Sequence, residues 1–118
     1  MASEMEPKVK QTYLYDFYGE LLNEHQRRIF EAFVFDDLSL GEIAEDQDIS
    51  RQAVHDMIRR STKKLEEYED KLHLMARFLE LREKAVSIQK CAEEYEKSHE
   101  KQLLAEIRQL SGEIIKEL

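Results

Sequence analysis

Hydrophobic residues recur along most of this chain at intervals of three and four positions, which is the spacing of an amphipathic helix. The first stripe predicts a helix from about Val9 to Leu22, and the capping-box pair Asn23 and Gln26 predicts the start of a second. The one proline, Pro7, precedes both helices, so nothing after it forbids helix. The pattern therefore predicts an all-α protein.

Two closely spaced helix starts follow, and they predict a helix-turn-helix between residues 39 and 65. Ser39 with Glu42 forms a second capping-box pair, and Ser50 is the N-cap of the next helix. The turn has Asp48 where many such motifs have Gly, and Asp tolerates the left-handed backbone conformation better than most residues. A plain helical hairpin with a solvated charged face is the alternative interpretation of these caps.

The second helix of this motif has one apolar face, formed by Val54, Ile58 and Leu65 at helical spacing. The opposite face carries basic and amide side chains, with Asp56 among them. Arg and Gln make bidentate contacts with guanine and adenine edges, and further basic residues neutralise phosphates. The predicted DNA-binding residues are Ser50, Arg51, Gln52, His55, Arg59, Arg60, Lys63 and Lys64.

The charge distribution singles out the same helix. The whole chain has a net charge of −8, which argues against binding nucleic acid over its entire surface. Residues 50–65, however, carry five basic side chains against Asp56 alone, whereas residues 1–49 and 66–118 are both net acidic. Such a chain would bind DNA locally, with weak affinity and a steep dependence on salt.

The segment SRQAVHDMIRRSTKKLEEYEDKLHL, residues 50–74, is the most specific part of a resemblance to a known family. Residues 13–79 as a whole resemble the YlxM family of small bacterial proteins and, more distantly, the promoter-reading region 4 of sigma factors. The resemblance implies a cytoplasmic protein, encoded beside genes of the signal recognition particle (SRP), that takes part in or regulates that pathway. It implies no catalytic residue, and it does not extend to the residues beyond about Leu81.

Beyond Leu65 the apolar pattern continues as two heptad seams, one running from Val54 to Val86 and another from Leu74 to Tyr95. A single straight helix over residues 51–95 would be about 67 Å long, against a radius of gyration of about 13 to 14 Å for a compact domain of this size. We therefore expect a bend or break within residues 68–84. Whether the seams pair within one chain or between two stays open. The predicted dimer or partner interface consists of Leu74, Phe78, Leu81 and Ile88.

The resulting organisation is a flexible tail at residues 1–8, a helix-turn-helix domain at 9–67 and a C-terminal helical arm at 68–118. The arm is predicted to end in an amphipathic helix that begins at Ser98 and frays around Gly112.

Catalytic and metal chemistry finds little support in the sequence. The four histidines lack the spacing of a metal site, and Cys91 with His99 is a poor candidate for a nucleophile and its base. We predict no enzyme, no cofactor, no metal site and no small-molecule substrate. No apolar run is long enough to span a bilayer and no leader pattern is present, so a cytoplasmic location is expected.

Two functions are consistent with these observations. The first is a DNA-binding regulatory protein that takes part in the SRP pathway, and it rests on the caps and the basic helix. The alternative is a protein-interaction module that binds SRP components and has no sequence-specific DNA role. The basic helix is also compatible with binding structured RNA, and the double seam predicts a homodimer.

Overall fold

Residues 5–118 are described by the computed structural model, and they form six α-helices and no strand. A short 3-10 turn, Gly19–Leu21, follows the first helix. The prediction of an all-α protein is therefore confirmed. The helices are α1 (Pro7–Tyr18), α2 (Glu24–Val34), α3 (Leu40–Gln47), α4 (Arg51–Leu72), α5 (Leu74–Ser98) and α6 (Lys101–Glu117).

The chain divides into two compact units, one ending at Met75 and the other comprising Ala76–Leu118. The functional division proposed at residue 67/68 stays a prediction. The predicted tail, residues 1–8, lies partly outside the described residues, and its last two residues already belong to α1. Pro7 suits the first position of a helix because the N–H that it lacks would have no partner there.

Side-chain caps determine where α2 and α3 begin, as the sequence predicts. Asn23 Oδ1 accepts a hydrogen bond from the Gln26 N–H at 2.8 Å, and Gln26 Oε1 accepts one from the Asn23 N–H at 3.1 Å. Ser39 and Glu42 make the same reciprocal pair at 3.1 and 3.0 Å. These bonds to Ser39 hold the pKa of Glu42 below its usual value. Both capping boxes are local, so they place the two helix starts independently of the tertiary fold.

The central helix of the first unit is α4, which packs against α1, α2 and α3. Ala44 of α3 is small enough for α3 and α4 to approach closely, and it lies in the same buried cluster as Val54 and Ile58. Full burial of a large apolar side chain stabilises the fold by about 1.5 to 3 kcal/mol. This packing therefore determines which face of α4 points outward. The buried apolar side chains of this unit are Leu14, Tyr18, Leu22, Ile29, Phe30, Ile43, Ala44, Val54, Ile58, Leu65 and Met75.

Two aromatic residues of α1, Tyr15 and Tyr18, pack into or against this core. Tyr15 stacks on Phe30 with ring centroids 5.4 Å apart, and it meets Phe35 edge-on at the same distance. Tyr18, which is only 1% exposed, lies 6.0 Å from the ring of Tyr68.

The expected break in the long helix lies at His73, whose backbone is left-handed with φ 56° and ψ 26°. The buried Tyr18 brings its hydroxyl to this point, where it donates to Glu69 Oε1 at 2.5 Å and accepts from the Leu74 N–H at 3.1 Å. Glu69 Oε1 also accepts from the Met75 N–H at 2.9 Å. Side chains of α1 and α4 thus satisfy backbone donors that have no partner inside the first turn of α5.

Within the second unit, α5 and α6 form a helical hairpin that turns at His99, another residue in the left-handed conformation. Cys91 Sγ lies 3.4 Å from Glu106 Oε2, to which it donates. Farther from the turn, Lys84 Nζ donates to Glu117 Oε1 at 3.1 Å. The two contacts show that the helices run in opposite directions.

The hairpin has few buried side chains of its own. Within Ala76–Leu118, all of which is described, Leu103 alone is buried. Phe78 and Leu104 are 42% and 45% exposed, and Ile115 is 70% exposed. Two helices alone cannot enclose a core, so the apolar seams of the arm are only partly covered within this unit.

Several predicted details were wrong. The first helix ends at Tyr18 rather than Leu22, and at the buried Gly19 an added Cβ would lie 2.8 Å from the Tyr15 ring. The last helix begins at Lys101 rather than Ser98, because the left-handed His99 interrupts the helical backbone. This helix continues through residue 112 to Glu117, and the predicted fraying around Gly112 stays a prediction. His73 lies at the break and is exposed.

Candidate nucleic-acid interface

The candidate site is the outward face of α4, and the turn after α3 sets its start. Asp48 adopts the left-handed conformation with φ 57° and ψ 45°, as its position in the turn predicts. The Ile49 N–H then returns to the carbonyl of Ala44 at 3.0 Å, closing the end of α3. Ser50 Oγ accepts from the Ala53 N–H at 3.0 Å and caps α4. These local bonds build the turn of a helix-turn-helix.

The buried side of α4 leaves the predicted contact residues on the opposite side. Val54, Ile58, Ser61 and Leu65 are buried at intervals of three and four residues. The side chains of His55 and Arg59 are 57% and 72% exposed. Lys64 is the half-buried member of the predicted set. The exposed members are Ser50, Arg51, Gln52, His55, Arg59, Arg60 and Lys63.

Arg51 extends across the start of α3. Its Nε and Cδ atoms lie 3.8 and 3.9 Å from the position that a Cβ would occupy at Gly41. A Cβ at position 41 would make only ordinary van der Waals contact with the Arg51 side chain, which is exposed.

Asp56 is the residue of this face that the predicted contact set omits. Its Oδ1 accepts a hydrogen bond from Gln52 Nε2 at 3.2 Å and lies 3.8 Å from the Arg59 guanidinium and 3.9 Å from His55 Nδ1. The three partners lie one, three and four residues away along α4. The known pairing of side chains three and four apart on a helix was the signal that would have found this cluster.

An open groove of about 830 Å³ borders the basic face. Phe33, Leu40 and Ile58 supply its apolar lining, and His55 and Arg59 stand at its edge beside the basic helix. On the α1 side, Lys8 pairs with Asp37 and Lys10 with Glu66, so these lysines are already matched with carboxylates. Of the exposed Lys and Arg side chains in the described part of the first unit, all but Arg28 therefore belong to α4.

The other predicted site residues lie on α5. Leu74 and Phe78 are 41% and 42% exposed, whereas Leu81 and Ile88 are half-buried. Among residues 5–118 no cluster of three His, Cys, Asp or Glu side chains is arranged to hold a metal ion. Nor does this part of the chain contain a helix with the length and apolar character needed to cross a bilayer.

An exposed cationic helix, presented by a capped partner helix across a tight turn, defines a protein of the helix-turn-helix class. The chain belongs to the UPF0122 family, whose description is "Putative helix-turn-helix protein, YlxM / p13 like" and whose model matches residues 5–111. The resemblance to YlxM is therefore confirmed, but its predicted limits were wrong, because the match extends beyond residues 13–79 in both directions and reaches α6. The description of the family names a helix-turn-helix and indicates no catalytic activity.

Individual relatives agree with this assignment. The UPF0122 protein of Bacillus thuringiensis (strain Al Hakam) is 44% identical over 108 residues, which cover 90% of this chain and 98% of that protein. UPF0122 proteins of Halalkalibacterium halodurans and Shouchella clausii are each 51% identical over 74 residues. Those alignments cover 63% of this chain and 68% of each relative.

Proposed function

We propose that this protein is a non-enzymatic, cytoplasmic regulatory protein that binds duplex DNA through the outward face of α4. The proposal includes a role in the SRP pathway, which rests on the resemblance to YlxM. The observation that carries it is the concentration of unburied positive charge on one helix, since Arg51, Arg59, Arg60 and Lys63 are all exposed on α4. Residues 50–65 have a local balance of five basic side chains against one acidic.

The positions of the basic and amide side chains along α4 match their usual roles in such motifs. Residues near the start of a recognition helix reach base edges, and basic residues further along contact phosphates. Arg51 and Gln52 occupy the first turn of α4 and can form bidentate contacts with guanine and adenine. Arg60 and Lys63 lie about two to three turns later on α4, and both can contact the backbone of the duplex.

Fluorescence anisotropy with labelled duplex DNA at several salt concentrations tests the proposal. A net of about four phosphate contacts predicts that log K falls against log salt with a slope of about −4. The double substitution Arg60→Ala and Lys63→Ala should make that slope shallower by about 2. The matched control is Arg77→Ala with Arg82→Ala, which removes the same charge from exposed positions of α5. Negligible binding at low salt would refute a DNA-binding function.

The alternative function is a protein-interaction module that binds SRP components. The net charge of −8 favours it, because an acidic body repels nucleic acid outside the α4 face. Affinity capture from the native cytoplasm, with and without nuclease, separates the two functions. Recovery of the targeting GTPase or its RNA without DNA would favour the module, whereas nuclease-sensitive recovery of DNA would favour the regulator.

The proposal also includes a homodimer formed through the hairpin of α5 and α6. The argument is that this unit buries only Leu103 by itself while Phe78 and Ile115 stay exposed, and two such hairpins can share one four-helix core. The predicted interface residues Leu74, Phe78, Leu81 and Ile88 lie along one seam of α5. Sedimentation at tens of micromolar should show a dimer. Phe78→Asp should weaken it by about 2 kcal/mol or more if the side chain is buried between copies. A monomer for the unmodified chain would refute the dimer.

A further inference from the structure

A single carboxylate lies within the basic face of α4. Asp56 is the one acidic residue of the segment 50–65. Its side chain is 34% exposed, less than that of His55 at 57% or Arg59 at 72%, so its neighbours partly cover it. A carboxylate here lowers the local positive charge that a polyanion would meet.

Asp56 also accepts a hydrogen bond from Gln52, one of the two residues proposed to read bases, and lies close to Arg59 and His55. Its Oδ1 accepts from Gln52 Nε2 at 3.2 Å and lies 3.8 Å from the Arg59 guanidinium. His55 Nδ1 lies 3.9 Å from the same oxygen. One oxygen thus lies within 4 Å of donor atoms from three side chains that can donate to bases or phosphates, all on one helical face.

We propose that Asp56 is a positioning residue that sets the nucleic-acid specificity of α4. It restrains Gln52 and Arg59 in the free protein, and its negative charge opposes contacts with phosphates alone. The inference rests on the proposed function of α4.

The physical reason is that specificity is a difference between two affinities. Binding to an arbitrary duplex depends on neutralising phosphates, so repulsion from Asp56 and its competition for Arg59 weaken it. A duplex with matching bases gives Gln52 and Arg59 new hydrogen-bond partners, which offset the loss of the Gln52 hydrogen bond and the Arg59 ion pair to Asp56. A feature that penalises the wrong partner more than the right one widens the ratio between them.

The charge of Asp56 affects recognition and not the stability of the fold. Exposed ion pairs contribute little to stability, so removing the charge of Asp56 should leave the fold intact. The contacts also lie on the outward side of α4, away from the buried Val54 and Ile58.

The test uses the full chain, a duplex selected from a random pool by the unmodified protein, and a random duplex of equal length. Asp56→Asn should bind the random duplex roughly fivefold more tightly, with a salt slope steeper by about 1 because Arg59 is released to a phosphate. The ratio of selected to random affinity should fall correspondingly. Asp56→Glu keeps the charge and should retain most of the ratio. Asp70→Asn, at an exposed position late in α4, is the charge-matched control.

A second measurement does not depend on binding. In NMR spectra of the free protein, the resonances of the Gln52 side-chain amide and the Arg59 guanidinium should shift in Asp56→Asn and stay in place in Asp70→Asn. If they do not shift, or if both Asn variants change affinity equally, the role of Asp56 is refuted while DNA binding stands. If no variant binds any duplex, the proposed function fails and the role of Asp56 fails with it.

Discussion

The break between α4 and α5 allows a quantitative prediction, because the Tyr18 hydroxyl makes two hydrogen bonds there. Tyr18→Phe keeps the buried ring but removes the oxygen that donates to Glu69 at 2.5 Å and accepts from the Leu74 N–H at 3.1 Å. A neutral hydrogen bond contributes about 0.5 to 1.5 kcal/mol net, and one to a charged partner about 1.5 to 3. The two bonds together predict a loss of about 2 to 4 kcal/mol in the free energy of unfolding.

Urea denaturation measures the loss, and hydrogen exchange locates it. The amides of Leu74 and Met75 should exchange faster in Tyr18→Phe than in the unmodified protein, while those of the α3 core should change only with global stability. Combining Tyr18→Phe with Glu69→Gln in a double-mutant cycle should give a coupling energy of about 1 kcal/mol or more, since the side chains are bonded directly. Glu67→Gln, at an exposed position of α4, is the control for lost charge.

The reasoning would be refuted by an unchanged urea midpoint together with unchanged exchange at Leu74. That result would mean that the hydroxyl of Tyr18 is equally well hydrated in the unfolded chain and that the break is maintained by the backbone of His73 alone. A loss of stability without faster exchange at Leu74 would locate the effect in the core packing of the ring.

Three further predictions test the turn, the phenols of Tyr15 and Tyr18, and the hairpin. Asp48→Gly should stabilise the protein by up to about 1 kcal/mol in urea denaturation, because the residue is left-handed, whereas the neighbouring Gln47→Gly, inside α3, should destabilise it by a similar amount. Burial raises the pKa of Tyr18, and burial together with the Glu31 carboxylate raises the pKa of Tyr15. Both phenols therefore contribute stability that is present below about pH 10 and is lost as the pH rises through their folded pKa values. Urea midpoints should fall above pH 10 as absorbance at 295 nm reports tyrosinate, and an unchanged midpoint there would contradict this. Lys84 forms ion pairs with three carboxylates of the hairpin, and Lys84→Met removes their common cation. Hydrogen exchange within α6 should therefore increase. Unaltered exchange would show that apolar packing alone stabilises the hairpin.

The helix-turn-helix itself was predictable because its determinants are local. The capping boxes at Asn23 and Ser39, the cap at Ser50 and the left-handed Asp48 each depend on residues within a few positions of one another. Helical spacing then separates the apolar and basic sides of α4, which is why the exposed residues of the candidate site could be named in advance. The network around Asp56 is equally local, because Gln52 and Arg59 lie four and three residues from Asp56 on the same helix.

The amino-acid sequence by itself thus determined the helical class, the position of the turn and the charged face of α4. Tertiary structure alone decided where the long helix breaks, because the heptad pattern continues through His73 and the donors of α5 are satisfied by Tyr18, which lies 56 residues before Leu74. The hydrophobic periodicity indicates which residues face a partner, but it does not identify the distant side chain at which a helix ends. That choice is made only when α1 and α4 pack together and bring a buried hydroxyl to the break.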